Sequence, residues 1–284
     1  MRHMFNLIYC FLLEFILPFL LLFPVWEPNE FASPPTPLGP FSFQERQVQL
    51  DKGADCCPLE ITVVEPVGAA GPRPTMVWVN GSNVQSYYHQ ALIENLASFG
   101  YVVVVPETRP LTFLIDFEYH KRNADNAALA LELAARGELG VEVDPRRIAV
   151  GGYSIGGPLA SFVAAALPQG VQAMVFWAPS GTPFWLGLDA PSLWNQVSAP
   201  ALYVLGELDP IAPPEGFPTE LRDSMPNSPS VEYVISGGTH LFFQQVTGAD
   251  SAEDPVTTLT RFEQQGIAIL ATRQYLDRVL ARRR

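Results

Sequence analysis

Apolar and polar positions along the 284-residue chain follow two alternating periods. Short runs rich in valine, isoleucine and aromatic residues recur at Leu59–Glu65, Thr75–Val79, Tyr101–Val105, Ile148–Gly151, Ala173–Trp177, Ala201–Leu205 and Val231–Ile235. Several are continuously apolar, as strands buried on both faces must be. Stretches of helical character lie between them: Tyr88–Phe99, Asn123–Arg136, Ile155–Ala166, Pro218–Met225 and Val256–Arg282. Strand alternating with helix predicts an α/β fold, with a mostly parallel central sheet and helices on both faces. No internal repeat is visible, and one domain over residues 46–284 is the simplest division.

The first 45 residues follow a different rule. Residues 4–26 are almost all apolar, Arg2 precedes them, and the next cationic side chain is Arg46. A basic start followed by an apolar run suits a signal peptide or a signal anchor over residues 1–26. Glu14 and Pro18 interrupt the run, and no Ala-x-Ala cleavage site follows. Cleavage and retention therefore both stand, as does a mis-assigned start or a buried helix. Residues 27–45 are rich in proline and read as a linker. The expectation is a secreted or membrane-anchored protein, with its folded domain outside the cytoplasm.

Composition narrows the classes of partner. Hydrophobic residues make up 48% of the chain and charged residues 16%, which is apolar enough for a sizeable core. Lys and Arg total 17 against 29 Asp and Glu, a net charge of −12. A nucleic-acid partner is not expected, because phosphate contacts need clustered cations. The one basic run, Arg282-Arg283-Arg284, reads as a solvated helix end. The cysteines are Cys10, Cys56 and Cys57. Adjacent cysteines pair with each other only under strain, and no metal-ligand spacing is present. The oxidation state of Cys56 and Cys57 is left open, and no metal is expected.

One turn carries the chemistry. Gly152, Ser154 and Gly156 form a G-x-S-x-G pattern between a strand and a helix. To lift a serine oxygen out of the sheet, the chain must reverse within one residue. Strand and helix then pass so closely that side chains two before and two after the serine collide. Ser154 is expected at positive φ, and the helix N-terminus offers N–H groups to a developing negative charge. A serine hydroxyl needs a base. Of His3, His89, His120 and His240, the last alone follows Ser154, in a loop after a strand. The acid is expected after Ala201–Leu205, where Asp209 is the first choice and Glu207 the alternative. The oxyanion donors are expected at Ile155, after the nucleophile, and at Ser82, in the loop Asn80-Gly81-Ser82-Asn83.

These segments resemble the α/β-hydrolase superfamily from about residue 60 to the end. The narrower likeness is to cutinase-like polyester hydrolases, chlorophyllases and platelet-activating-factor acetylhydrolases. It rests on Pro74–Gly81, Leu96–Pro106, Gly152–Gly157, Leu205–Pro213 and Gly238–Leu241, in the family's order. The resemblance implies an α/β-hydrolase fold and hydrolysis of carboxylic esters through an acyl-serine, without a cofactor. Three positions depart from it. Ser82 stands where polyester hydrolases usually carry an aromatic residue. Ala178-Pro179-Ser180 stands where they carry a tryptophan, and Tyr153 where chlorophyllases have histidine.

The stretch 178–200 is long enough for one short helix and too short for a cap domain, which implies an open site. Asn83, Phe184, Trp185 and Ile211 are candidate substrate contacts, with core packing as the alternative for the aromatic pair. The reading is therefore a serine esterase with Ser154, His240 and Asp209 as its triad. It is expected to be a monomer acting on a small-molecule, lipid-like or polymeric ester. An amidase or peptidase on the same scaffold is one alternative. A non-catalytic binding protein of this fold is the other.

Overall fold

A computed structural model describes residues 36–51, 58–82, 84–107, 117–167, 170–181, 194–245 and 257–281. Eight strands form one sheet: β1 (Phe43–Leu50), β2 (Leu59–Pro66), β3 (Arg73–Val79), β4 (Val102–Pro106), β5 (Val143–Tyr153), β6 (Ala173–Trp177), β7 (Ala201–Gly206) and β8 (Ser230–Ile235). Their order across the sheet is β1-β2-β4-β3-β5-β6-β7-β8. The β1–β2 and β2–β4 pairs are antiparallel, and all the others are parallel. Among the described residues the α-helices are α1 (Gln90–Ser98), α2 (Phe117–Ala135), α3 (Gly156–Ala166), α4 (Phe217–Ser224) and α5 (Arg261–Val279).

The two faces of the sheet carry separate cores. Leu131 of α2, Leu159 and Val163 of α3 and Leu221 of α4 pack on one face. Leu92 and Leu96 of α1, with Ile269 and Leu276 of α5, pack on the other. Strands covered on both sides have no polar face, and every residue of β4 and β6 is buried. The edge strand β8 departs from that pattern. Its apolar run predicts a strand, yet Val231, Tyr233 and Val234 are exposed.

Element boundaries differ from the sequence reading where polar residues hide them. The apolar pattern does not predict β1, which alternates half-buried and exposed positions as an edge strand does. It starts at Phe43, inside the stretch expected as linker. The described part of that stretch is bound to α1. Asn95 Nδ2 donates to Thr36 Oγ1 (2.7 Å), and the Phe41 N–H donates to the Ser98 carbonyl (3.1 Å). Helix α5 begins at Arg261, later than expected, because Thr260 and Glu263 form a capping box that fixes its first turn.

The turn from β5 to α3 is the tightest point of the fold. Ser154 has φ 53°. A Cβ on Gly152 would lie 2.3 Å from the Gly156 oxygen, and one on Gly156 would lie 2.1 Å from the Val79 oxygen. Both obstacles are backbone, which no rotamer change can move. Beneath the turn, on the α1 side, Trp78, His89, Tyr153 and Trp177 pack ring against ring, with centroids 5.1 to 6.1 Å from His89. His89 is buried, and its Nδ1 lies 3.4 Å from Asn80 Oδ1. Burial among these rings pushes its pKa down to about 3.

Two outcomes are expected. Gly156→Ala should destabilise the protein by about 3 kcal/mol, measured by urea unfolding. A loss within about 0.5 kcal/mol would contradict the close approach to β3. The unfolded chain takes a proton on His89 near pH 6.5, whereas the folded chain refuses it until about pH 3. Stability contributed by the neutral imidazole is thus lost as pH falls through that window, at up to about 1.4 kcal/mol per unit. Between pH 7 and pH 5 the parent should lose about 2 kcal/mol more than His89→Phe. Parallel curves for the two proteins would contradict a buried neutral His89.

Candidate active site

Three strand ends bring the expected residues together. Ser154 follows β5, Asp209 follows β7 and His240 follows β8. Asp209 Oδ2 lies 2.7 Å from His240 Nδ1, and His240 Nε2 lies 3.1 Å from Ser154 Oγ. Asp209 and His240 are each 3% exposed, so water does not compete for these bonds. The other carboxylate oxygen, Oδ1, accepts the N–H groups of Ile211 (2.8 Å) and Ala212 (2.7 Å). This pair of backbone donors leaves Oδ2 aimed at the imidazole. A carboxylate partner assigns the proton to Nδ1 and leaves Nε2 as an acceptor for the Ser154 hydroxyl. Glu207 points elsewhere. Its exposed carboxylate accepts from Ser236 Oγ (2.7 Å) and from the Gly237 N–H, which together hold its pKa below the usual carboxylate range.

The expected oxyanion donors sit on both sides of the nucleophile. Ile155 is the N-cap of α3, where first-turn N–H groups have no acceptor within the helix. Ser82 lies in the loop after β3, half-buried. Its neighbour Gly81 lies directly against the turn: a Cβ there would be 3.3 Å from Ser154 Cβ and 3.2 Å from the Tyr153 oxygen. Glu107 steadies this loop at both ends. It accepts from Asn80 Nδ2 (3.5 Å), from the Ser86 N–H (3.0 Å) and from Thr62 Oγ1 (2.6 Å). Of the expected substrate contacts, Ile211 is half-buried beside Asp209, while Asn83, Phe184 and Trp185 lie outside the described residues. Among the described residues, no cluster of His, Cys, Asp or Glu side chains is arranged to hold a metal ion.

Several residues the sequence does not single out complete the site. Gln264 of α5, fully buried, clamps the residue before His240: it accepts from the Thr239 N–H (2.9 Å) and donates to the Thr239 carbonyl (2.7 Å). Tyr153 donates its hydroxyl to the His240 carbonyl (3.1 Å), and Gln244 Nε2 donates to that hydroxyl (2.9 Å). The His240 loop is thus held from α5 and from the residue before the nucleophile. Ser180 Oγ lies 2.9 Å from Ser154 Oγ. Gln264 reads in the sequence as an ordinary residue of a predicted helix. Tyr153 and Ser180 become meaningful after the β5 and β6 ends are set side by side.

Known proteins share this sequence pattern and this architecture. The sequence model of the PET hydrolase-like (PETase) family matches residues 31–267. Cutinase est1 of Thermobifida alba is 28% identical over 171 residues, which cover 60% of this chain and 53% of that protein. Cutinase 1 of Thermobifida cellulosilytica is 28% identical over 148 residues, 52% of each chain. The chain spans about half the length of the curated relatives it matches. Among solved structures, a dienelactone hydrolase-like promiscuous phosphotriesterase from metagenomic libraries superposes with a TM-score of 0.66. That match covers 84% of this chain and 98% of the other at 16% identity, and it identifies the architecture as an α/β-hydrolase fold, with no large cap among the described residues. With its family match running from before β1 into α5, the chain belongs to the PET hydrolase-like family.

Proposed function

We propose that the protein is a serine hydrolase of carboxylic esters, working through an acyl-Ser154 intermediate. The relay from Asp209 through His240 to Ser154 carries this reading, at 2.7 and 3.1 Å. Membership of the PET hydrolase-like family and the likeness to cutinases support esters as the substrate class. Ser154 Oγ attacks the ester carbonyl as His240 Nε2 takes its proton. Asp209 keeps the imidazole in the required tautomer and offsets its positive charge. The N–H groups of Ile155 and Ser82 receive the oxyanion. His240 then passes the proton to the departing alcohol. A water gives its proton to His240 and attacks the acyl-enzyme, which frees the acid and restores Ser154.

The substrate is a lipid-like or polymeric ester, a choice supported by the family and by a linker between β6 and β7 with no room for a cap. No helix among the described residues is long and apolar enough to cross a membrane. The apolar residues 4–26 lie outside them and support a secreted or anchored protein.

The full-length chain is expected to hydrolyse p-nitrophenyl butyrate and to release soluble acids from a polyester suspension. Ser154→Ala should lower kcat on both substrates by at least about a thousandfold, and Asp209→Asn by about a hundredfold or more. A folded Ser154→Ala protein with undiminished turnover would overturn the mechanism. Turnover of the small ester with no release from polyester would overturn the polymer assignment alone.

A further inference from the structure

Ser154 is not alone in its strained backbone. Among the described residues, the non-glycine positions with positive φ are Ser154 at 53° and Ala178 at 41°. Such a conformation is strained and persists where the surroundings impose it. The two residues close the neighbouring parallel strands β5 and β6 and are bonded together. The Ser154 N–H donates to the Trp177 carbonyl (3.0 Å), and the Ser180 N–H donates to the Ser154 carbonyl (3.0 Å). The Ala178 turn folds Pro179 and Ser180 back over the nucleophile. Gly157 makes room for them, since a Cβ there would lie 2.6 Å from Pro179 Cβ. The result is a second hydroxyl at the reacting atom, with Ser180 Oγ 2.9 Å from Ser154 Oγ.

The direction of that bond follows from its neighbours. His240 Nδ1–H is committed to Asp209, so Nε2 is an acceptor and the Ser154 proton points to it. The hydrogen between the two serines must then belong to Ser180. We infer that Ser180 is a further catalytic residue, whose hydroxyl donates to Ser154 Oγ and stabilises the negative charge that gathers there in both half-reactions. This rests on the ester-hydrolase reading of the triad.

The chemistry balances without any group beyond those already described. In acylation the Ser154 O–H bond breaks, its proton goes to His240 Nε2, and the Ser154 oxygen–carbon bond forms. In deacylation that oxygen–carbon bond breaks, the electron pair returns to Ser154 Oγ, and His240 returns a proton to it. Ser180 keeps its own proton throughout. Ser154 Oγ carries partial negative charge in both transition states. A hydrogen bond to a charged oxygen is about twice as strong as one to a neutral hydroxyl, so Ser180 stabilises the transition states more than the resting enzyme. The bond also holds the Ser154 hydroxyl towards His240, because its rotation towards Ser180 meets a donor.

The test removes the hydroxyl and leaves the backbone bond in place. On the full-length chain, Ser180→Ala should lower kcat for p-nitrophenyl butyrate by about 10- to 100-fold, the span of one charge-assisted hydrogen bond. KM should change by less than about threefold. The second-order rate of labelling by a fluorophosphonate should fall in parallel, as that reaction needs only the first half of the cycle. Ser180→Thr keeps a hydroxyl and should recover part of both rates. Rates for Ser180→Ala within twofold of the parent would overturn the proposal. So would a folded Ser180→Thr no faster than Ser180→Ala. Ser154→Ala is run alongside. Turnover that survives it would remove the triad reading itself, whereas a dead Ser154→Ala beside a fully active Ser180→Ala removes the Ser180 role alone.

Discussion

The site depends on how closely β3, β5 and α3 pass one another. The Val79 carbonyl oxygen occupies the space where a side chain on Gly156 would stand, and the Gly156 carbonyl does the same at Gly152. This contact forces the chain to reverse at Ser154, in a conformation an L-residue resists. It also brings the loop after β3 against Ser154, where Gly81 approaches its Cβ. Ser154, the helix N-terminus and the loop after β3 are thus set by one packing constraint. Interiors are too dense for it to relax piecemeal.

His240 is held by different means. It lies on a loop, and loops ordinarily move. Here the loop is anchored by buried polar side chains: Gln264 on both backbone groups of Thr239, Tyr153 on the His240 carbonyl, and Gln265 Nε2 on the Gln244 carbonyl (2.6 Å). On its far side, Gln245 Oε1 accepts the Ala91 N–H of α1 (2.7 Å). Satisfied bonds of this kind are stiff because breaking one strands a buried polar group. Ser154 is placed by backbone sterics and His240 by side-chain amides. That division lets the Asp209–His240–Ser154 line keep hydrogen-bond distances.

The same division explains what the sequence discloses. Sterics leave glycines, so Gly152, Ser154 and Gly156 are legible, and chain order leads from them to His240 and Asp209. Continuous apolar runs reveal β4, β6 and β7 and the inner parts of β2, β3 and β5, because strand segments covered on both faces have no polar face. Strand β1 is hidden, since an edge strand carries Gln and Glu on its open side and begins within a proline-rich stretch. Amide clamps leave no spacing signature. Gln264 and Gln244 look like ordinary surface residues until α5 is folded against the His240 loop. Ser180 is invisible for a related reason: its meaning depends on a strained turn at Ala178, and alanine gives no hint of positive φ.

The proposed ester hydrolysis passes through a covalent bond to Ser154. Intact mass and peptide mapping of the full-length protein, after treatment with a fluorophosphonate, test this directly. One adduct per chain is expected, located on Ser154, with its formation suppressed in His240→Ala. An adduct on Ser180, Ser82 or another residue, or a folded and active protein that takes no adduct, would contradict it.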